Sequence, residues 1–268
     1  MDTPTGVTRR GRCPTAHNQR AMRHFEMQPF VSSIFHSLNL LKAMFFIKAF
    51  NYIFGRFLFS KKVHLTYSLN YLNRKRDIDT DYLDYIRIAT LELISNEITR
   101  KNLSGNVAEV GVYKGKFAKY INQYFPSRKL YLFDTFQGFD EKDIDSEKKI
   151  GLSHTSQDFS NTSVESVLKN MPFPEECIIK RGFFPETTTG LDDSFVFVSL
   201  DTDLYEPIYQ GLIYFFPRIV KGGYIFVHDV NNDAYKGARK AVDQFSSEQN
   251  ISFLPLPDAC GSVVFIKN

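Results

Sequence analysis

Two apolar runs in the sequence end in acids. Phe195–Leu200 (FVFVSL) leads directly into Asp201, Thr202 and Asp203, and Gly222–Val227 (GGYIFV) leads into His228 and Asp229, with Asn231 and Asn232 just beyond. If both runs are neighbouring parallel strands, Asp201 and Asp229 end on the same side of the sheet. Two carboxylates brought that close repel each other unless a cation stands between them. Hard oxygen donors with open positions suit Mg²⁺, so Asp201 and Asp229 are the expected metal ligands. The competing reading is that Asp203 or Asp229 caps the helix that follows.

A second chemical pattern lies upstream. Val107-Ala-Glu-Val-Gly-Val-Tyr-Lys-Gly115 reads as a strand turning into a helix, with Glu109, Gly111, Tyr113 and Gly115 in or beside the turn. Glycines there allow a sharp bend and a close backbone approach to a ligand. The spacing Glu109-x-Gly111-x-x-x-Gly115 is not the dinucleotide fingerprint, and an acid at Glu109 disfavours pyrophosphate. A carboxylate facing a ligand prefers a cation, such as the ammonium of an amino-acid moiety. Asp134, followed by Thr135, closes the next apolar run at the distance where an acid can accept hydrogen bonds from ribose hydroxyls. A nucleoside joined to an amino acid without phosphate is S-adenosylmethionine, which makes Glu109, Gly111, Tyr113, Gly115, Asp134 and Thr135 its candidate binding residues.

The elements that must carry these residues alternate. Helical periodicity over 82–101 is broken by Asn102–Asn106. Strands are expected at Val107–Val112, Lys129–Phe133, Cys177–Lys180, Phe195–Leu200, Tyr224–Val227, Ile251–Leu254 and Ser262–Ile266. Helices are expected at Phe117–Tyr124, Val164–Asn170, Ile208–Phe216 and Lys236–Gln249, and a long polar loop from Gly138 to Ser160. This pattern predicts an α/β domain with a mostly parallel seven-stranded sheet, helices on both faces and an antiparallel last strand.

Charge divides the chain. Residues 1–76 hold thirteen Lys/Arg against Asp2 and Glu26, a net of +11, so 77–268 carries −8 within a whole-chain charge of +3. Residues 1–28 read as a disordered basic leader. Residues 29–79 read as a helical amphipathic extension whose stretch 29–62 could pack on a partner subunit, supporting a homo-oligomer, or make peripheral contact with an anionic membrane. Lys42, Lys48 and Arg56 interrupt it, so it does not read as a spanning helix. The acidic body argues against a nucleic-acid partner. Cys13, Cys177 and Cys260 suit neither a disulfide framework nor a zinc site and point to a cytoplasmic protein, with membrane association through 29–62 the variant.

The runs EVGVYKGKFA, LYLFDTFQGF and LDTDLYEPIYQGLIYFFPRIVKGGYIFVHD, in that order, resemble the macrocin O-methyltransferase family over about 80–268. The resemblance implies a class I methyltransferase (Rossmann-like) fold, S-adenosylmethionine as methyl donor, a divalent metal that is usually Mg²⁺, and a sugar hydroxyl on a small molecule or glycan as acceptor. It carries donor binding onto Glu109, Gly111 and Asp134, and the metal onto Asp201 and Asp229. Where family members have two consecutive acids after the fifth strand, this chain has His228-Asp229, leaving His228 or Asn231 as a third ligand. The resemblance also places a catalytic base in the loop after the second strand, at His154. Asp158 in that loop and Phe183 after the third strand are candidates for the adenine, with Phe183 otherwise joining the core. Two other readings are a catechol-type enzyme acting on an aromatic diol and a non-catalytic, membrane-tethered binding protein of the same fold.

Overall fold

The computed structural model describes residues 84–149, 151–152 and 158–268, with nine further positions between 42 and 54. The leader 1–28, most of 29–79 and His154 lie outside the described residues. The chain divides into two compact units, Met1–Ile78 and Asp79–Asn268. In the first unit the nine described positions are helical. Phe46, Phe50 and Phe54 there follow one another at helical spacing, with ring centroids 6.3 and 4.8 Å apart. No helix among the described residues is long and apolar enough to cross a membrane.

The second unit begins with α1 (Tyr85–Arg100), capped by Asp84, whose carboxylate accepts from the Ile86 and Arg87 amides. β1 (Asn106–Val110), α2 (Lys116–Tyr124) and β2 (Leu130–Asp134) follow. α3 (Glu141–Lys149) and α4 (Val164–Lys169) lead to β3 (Cys177–Arg181), and β4 (Phe195–Leu200) is followed by α5 (Tyr205–Phe215). β5 (Ile219–Val227), α6 (Gly237–Gln249), β6 (Leu254–Pro255) and β7 (Val263–Ile266) complete the unit. The sheet has seven strands in the order β3-β2-β1-β4-β5-β7-β6. β7 runs antiparallel to both of its neighbours.

The α/β reading holds, with shifted ends and one correction. The polar stretch expected as loop from Gly138 to Ser160 contains helix α3. Ile144 is its only aliphatic residue, so periodicity does not reveal it. Charge supports it instead: the exposed Glu141 lies in its first turn, and Lys148 and Lys149 in its last, each complementing the helix dipole.

Phenylalanine builds much of the interior. Phe215 is fully buried and its ring meets those of Phe133, Phe195 and Tyr214 edge-on and that of Phe184 in a stack. A register shift in β4 between Phe195 and Phe197 lets Phe195 face Phe215 while Phe197 contacts Phe125 and Phe226. One strand thus feeds both faces of the sheet.

The register decides where the chemistry sits. Val110 pairs with Phe133 and with Leu200, and Leu200 pairs with Val227. The residues that follow these strand ends, Gly111, Asp134, Asp201 and His228, therefore line one rim. Strand order reverses between β1 and β4, the place where open α/β sheets form a crevice at their carboxyl edge.

Replacing Phe215 by alanine removes the centre of the aromatic cluster, and urea unfolding should show a loss of about 3–5 kcal/mol. Alanine at the half-exposed Ile213 on the same helix should change stability by less than about 1 kcal/mol; equal losses at the two positions would contradict the packing described.

Candidate active site

At the rim a cavity of about 410 Å³ is lined by the β1 turn, the end of β2, the acids after β4 and the residues after β5. Gly111, at φ +85°, makes this convergence possible. A Cβ there would stand 2.1 Å from the carbonyl oxygen of Asp201, so no other residue fits between the β1 turn and the end of β4.

Glu109 is only 1 % exposed, and its Oε2 has no hydrogen-bond partner among the described residues. Burial drives its pKa well up, with help from Asp201 and Asp134, while the Arg87 guanidinium and the Ala118 amide oppose the shift. Asp134 already has a structural task. Its Oδ2 accepts from the amides of Val112 (2.7 Å) and Tyr113 (2.8 Å), and its Oδ1 accepts from that of Phe136 (2.6 Å). The carboxylate thus holds the β1 turn in place, and a ribose hydroxyl would be an additional partner. Thr135 lines the cavity and donates to the carbonyl of Gly138.

Two expected donor contacts lie elsewhere. Gly115 is absent from the cavity wall, and a Cβ on it would meet Val167 of α4 and Met171 just beyond that helix, so its bareness serves helix packing. Asp158 is exposed and accepts from the Ser160 amide at 2.8 Å, outside the wall. Phe183, the alternative core residue, lines the cavity with Lys142 Nζ 4.9 Å from its ring centroid; Phe184 is the one packed into the core against Phe133 and Phe215. Tyr113, Phe159, Phe139 and Tyr235 form a chain of rings along the cavity, with successive centroids 5.1, 4.9 and 6.1 Å apart.

The acids after β4 and β5 converge as expected. Asp201, His228 and Asp229 offer donor atoms that all lie within 4.8 Å of one another. His228 Nδ1 is 3.1 Å from Asp201 Oδ1 and 2.6 Å from Asp229 Oδ2. The outer oxygens are anchored: Asp201 Oδ2 accepts from Arg87 Nη2 at 2.9 Å, and Asp229 Oδ1 accepts from Asn232 Nδ2 at 2.9 Å. Asp229 adopts φ +60°, so it lies outside any helix and does not cap α6. Of the two alternatives for a third ligand, His228 faces the carboxylates. Asn231 is exposed, and its side chain packs by Gly261.

The electrostatics follow from this packing. Burial would raise the Asp201 pKa, but Arg87 and His228 outweigh it and hold that carboxyl well below its usual range. Burial would likewise lower His228, yet the Asp201 and Asp229 carboxylates push it up to about 9. Asp203 has burial, Asp229 and Asp201 all acting in one direction, and its pKa is driven well up. It takes φ +61° and lines the cavity beside the other two acids.

Arg87 is the residue that the sequence reading missed. It is 4 % exposed, with its guanidinium carbon 3.8 Å from the Phe117 ring centroid. A signal was present: Arg87, Leu91, Ile94 and Ile98 share the buried stripe of α1, and a cation on a buried stripe requires an anion nearby.

Asp143 of α3 also lines the cavity and is 9 % exposed. Burial, then Asp140, Glu206 and Glu147, push its pKa up to about 7. The folded protein therefore holds this proton more tightly than the unfolded chain, and the stability linked to it declines as pH rises from about 4 through about 7. Asp143→Asn should accordingly exceed wild type in urea stability near pH 8, by about 1–3 kcal/mol, and coincide with it near pH 4. A difference that persists unchanged at the lower pH would refute the assignment.

Over residues 80–266 the chain matches the family model described as Macrocin-O-methyltransferase (TylF). It is 25 % identical over 203 residues to a demethyldecarbamoylnovobiocin O-methyltransferase of Streptomyces niveus, covering 70 % of this chain and 76 % of that one. It is 24 % identical over 192 residues to the 8-demethyl-8-(2,3-dimethoxy-alpha-L-rhamnosyl)-tetracenomycin-C 4'-O-methyltransferase of Streptomyces olivaceus, covering 67 % and 72 %. Among solved structures, the O-methyltransferase NovP superimposes with a TM-score of 0.56 at 20 % identity over 68 % of this chain and 79 % of that chain. The calicheamicin methyltransferase CalS11 gives 0.55 at 18 % over 67 % and 78 %. Both structural likenesses concern the fold, a seven-stranded sheet flanked by helices. With the family model matching most of its length, this chain belongs to the macrocin-O-methyltransferase family and is an O-methyltransferase.

Proposed function

We propose that the protein transfers a methyl group from S-adenosylmethionine to a hydroxyl of a sugar carried by a small molecule or glycan, with a divalent cation at Asp201, His228 and Asp229. One observation carries the reading: the donor-type turn around Glu109–Tyr113 and the acidic rim of Asp201, Asp203 and Asp229 open on a single cavity. One relative above is named for a demethyldecarbamoylnovobiocin and the other for a tetracenomycin that carries a rhamnosyl group, and the second name supports a sugar acceptor.

The residues divide the work. Methyl transfer from a sulfonium is an in-line displacement whose leaving group is already activated, so the protein must align the acceptor oxygen and make it nucleophilic. Glu109 offers an unpartnered oxygen to the donor's ammonium, and the tight turn brings the amides of Val112 and Tyr113 to the same end of the cavity. The donor set fits a divalent ion, because three donor atoms face one another while their outer oxygens are tied back by Arg87 and Asn232. A cation bound there would lower the pKa of a coordinated hydroxyl. Asp203, the third acid of the rim, lines the same cavity; its raised pKa means that it must first give up its own proton, as a cation bound beside it would favour, before it can accept the acceptor's. His154, which the family resemblance nominates as base, lies outside the described residues. The ring chain Tyr113–Phe159–Phe139–Tyr235 excludes water from one side of the reacting atoms.

Asp201→Ala should abolish transfer while calorimetric binding of S-adenosylmethionine survives, whereas Glu109→Gln should weaken donor binding about tenfold or more before kcat falls. Equal loss of donor affinity in both variants would defeat this division of roles. Asp203→Asn should lower kcat by about 10²–10⁴ with little change in donor binding; if His154→Ala instead shows that loss and Asp203→Asn does not, the base is His154. Assay against glycosides and simple aromatic diols decides the acceptor class, and transfer confined to the diols would overturn the sugar reading.

A further inference from the structure

The metal position differs chemically from a carboxylate-only site, and the difference is built into the geometry. Asp201 and Asp229 each have one oxygen fixed from behind, by Arg87 and by Asn232. Each thereby presents its other oxygen, Asp201 Oδ1 and Asp229 Oδ2, to His228 Nδ1, at 3.1 and 2.6 Å. Adjacent donors of an octahedral ion with bonds of about 2.1 Å stand about 3.0 Å apart. The two nitrogen–oxygen spacings, 3.1 and 2.6 Å, bracket that value, and all three donor atoms converge within 4.8 Å, close enough for one ion to take the place of the proton they now share. Neither flanking residue competes for the ion, because Arg87 has no acceptor atom and Asn232 donates to the oxygen turned away.

We propose that this site takes a first-row transition ion in preference to Mg²⁺, with His228 Nδ1 as a direct ligand beside Asp201 Oδ1 and Asp229 Oδ2. The inference rests on the metal-assisted reading above and specifies the ion. Mg²⁺ is a hard cation that keeps oxygen ligands and gives up its waters reluctantly. Mn²⁺, Fe²⁺ and Co²⁺ accept an imidazole nitrogen readily, and a nitrogen-plus-carboxylate face with open positions is an arrangement they favour. On binding, Nδ1 gives its lone pair to the ion and its proton leaves to solvent. Mn²⁺ binds nitrogen and oxygen donors least tightly of this series, so a preference measured with it is a lower bound for the others.

The test uses the full chain, stripped with chelator and saturated with S-adenosylhomocysteine. Mn²⁺ is titrated while the free-ion paramagnetic resonance is followed, and Mg²⁺ is then added in competition. The expected result is one bound Mn²⁺ that a hundredfold excess of Mg²⁺ does not displace. His228→Asp, which restores an all-oxygen face, should narrow the Mn²⁺ over Mg²⁺ preference at least tenfold. A spin-echo measurement on wild type gives an answer without any variant, because a directly bound imidazole imposes nitrogen modulation on the Mn²⁺ signal. Absence of that modulation, an unchanged preference in folded His228→Asp, or displacement by equimolar Mg²⁺ would each overturn the proposal. Failure of Mn²⁺ to bind while S-adenosylhomocysteine still binds would overturn it too and leave the donor reading standing; failure of both would remove the functional reading beneath it.

Discussion

Mutual repulsion among carboxylates governs this molecule's active edge. Glu109, Asp201, Asp203 and Asp229 all line one cavity of about 410 Å³. Charges of one sign in so small and partly dry a space cannot all persist unless cations are interleaved. Arg87 provides the first of these. It reaches from α1 to Asp201, rests its guanidinium on Phe117 and lowers the electrostatic cost at Glu109. His228 provides the second, between Asp201 and Asp229. At Glu109 and Asp203 these cations do not outweigh burial and the neighbouring acids, and both pKa values are driven well up. Those two are the acids that the proposed function assigns to the donor's ammonium and to the acceptor's proton.

The scaffold serves this arrangement through register. Four parallel strands end in step, so four chain segments distant in sequence arrive at one rim. Aromatic packing beneath the rim holds that alignment. Phe133, Phe184, Phe195 and Phe215 interlock below the ends of β2 and β4, giving the abundance of phenylalanine a structural role. Gly111 completes the join, since its missing side chain leaves room for the backbone of Asp201.

A histidine at position 228 sets the balance between the two carboxylates at this rim. In an all-carboxylate site the ion would meet only oxygen and would be the only cation between the acids. Here a side chain that can itself be positive occupies that place, and it yields to an ion only by giving up its proton. On the proposal above, ion binding and the protonation of His228 would oppose each other, and ions with affinity for nitrogen would gain the advantage.

Periodicity in the sequence was enough for the alternating elements, the antiparallel last strand, and the placing of Glu109, Asp134, Asp201 and Asp229 at strand ends, because hydrophobic pattern and strand-end acids are local properties. Helix α3 escaped this reading, since with Ile144 as its only aliphatic residue it is stabilised by charges at its ends. Tertiary structure alone decided which residues meet. Arg87 lies 114 residues from Asp201, and only the packing of α1 brings their side chains to 2.9 Å. Gly115 carries a turn glycine's signature yet faces α4, because the direction of a bare Cα depends on what packs against it. His228 and Asn231 were equally open as partners for Asp229 in the linear chain. The backbone after β5 turns Asn231 outward and leaves His228 between two carboxylates, a choice made by three-dimensional proximity and the electrostatic energy that comes with it.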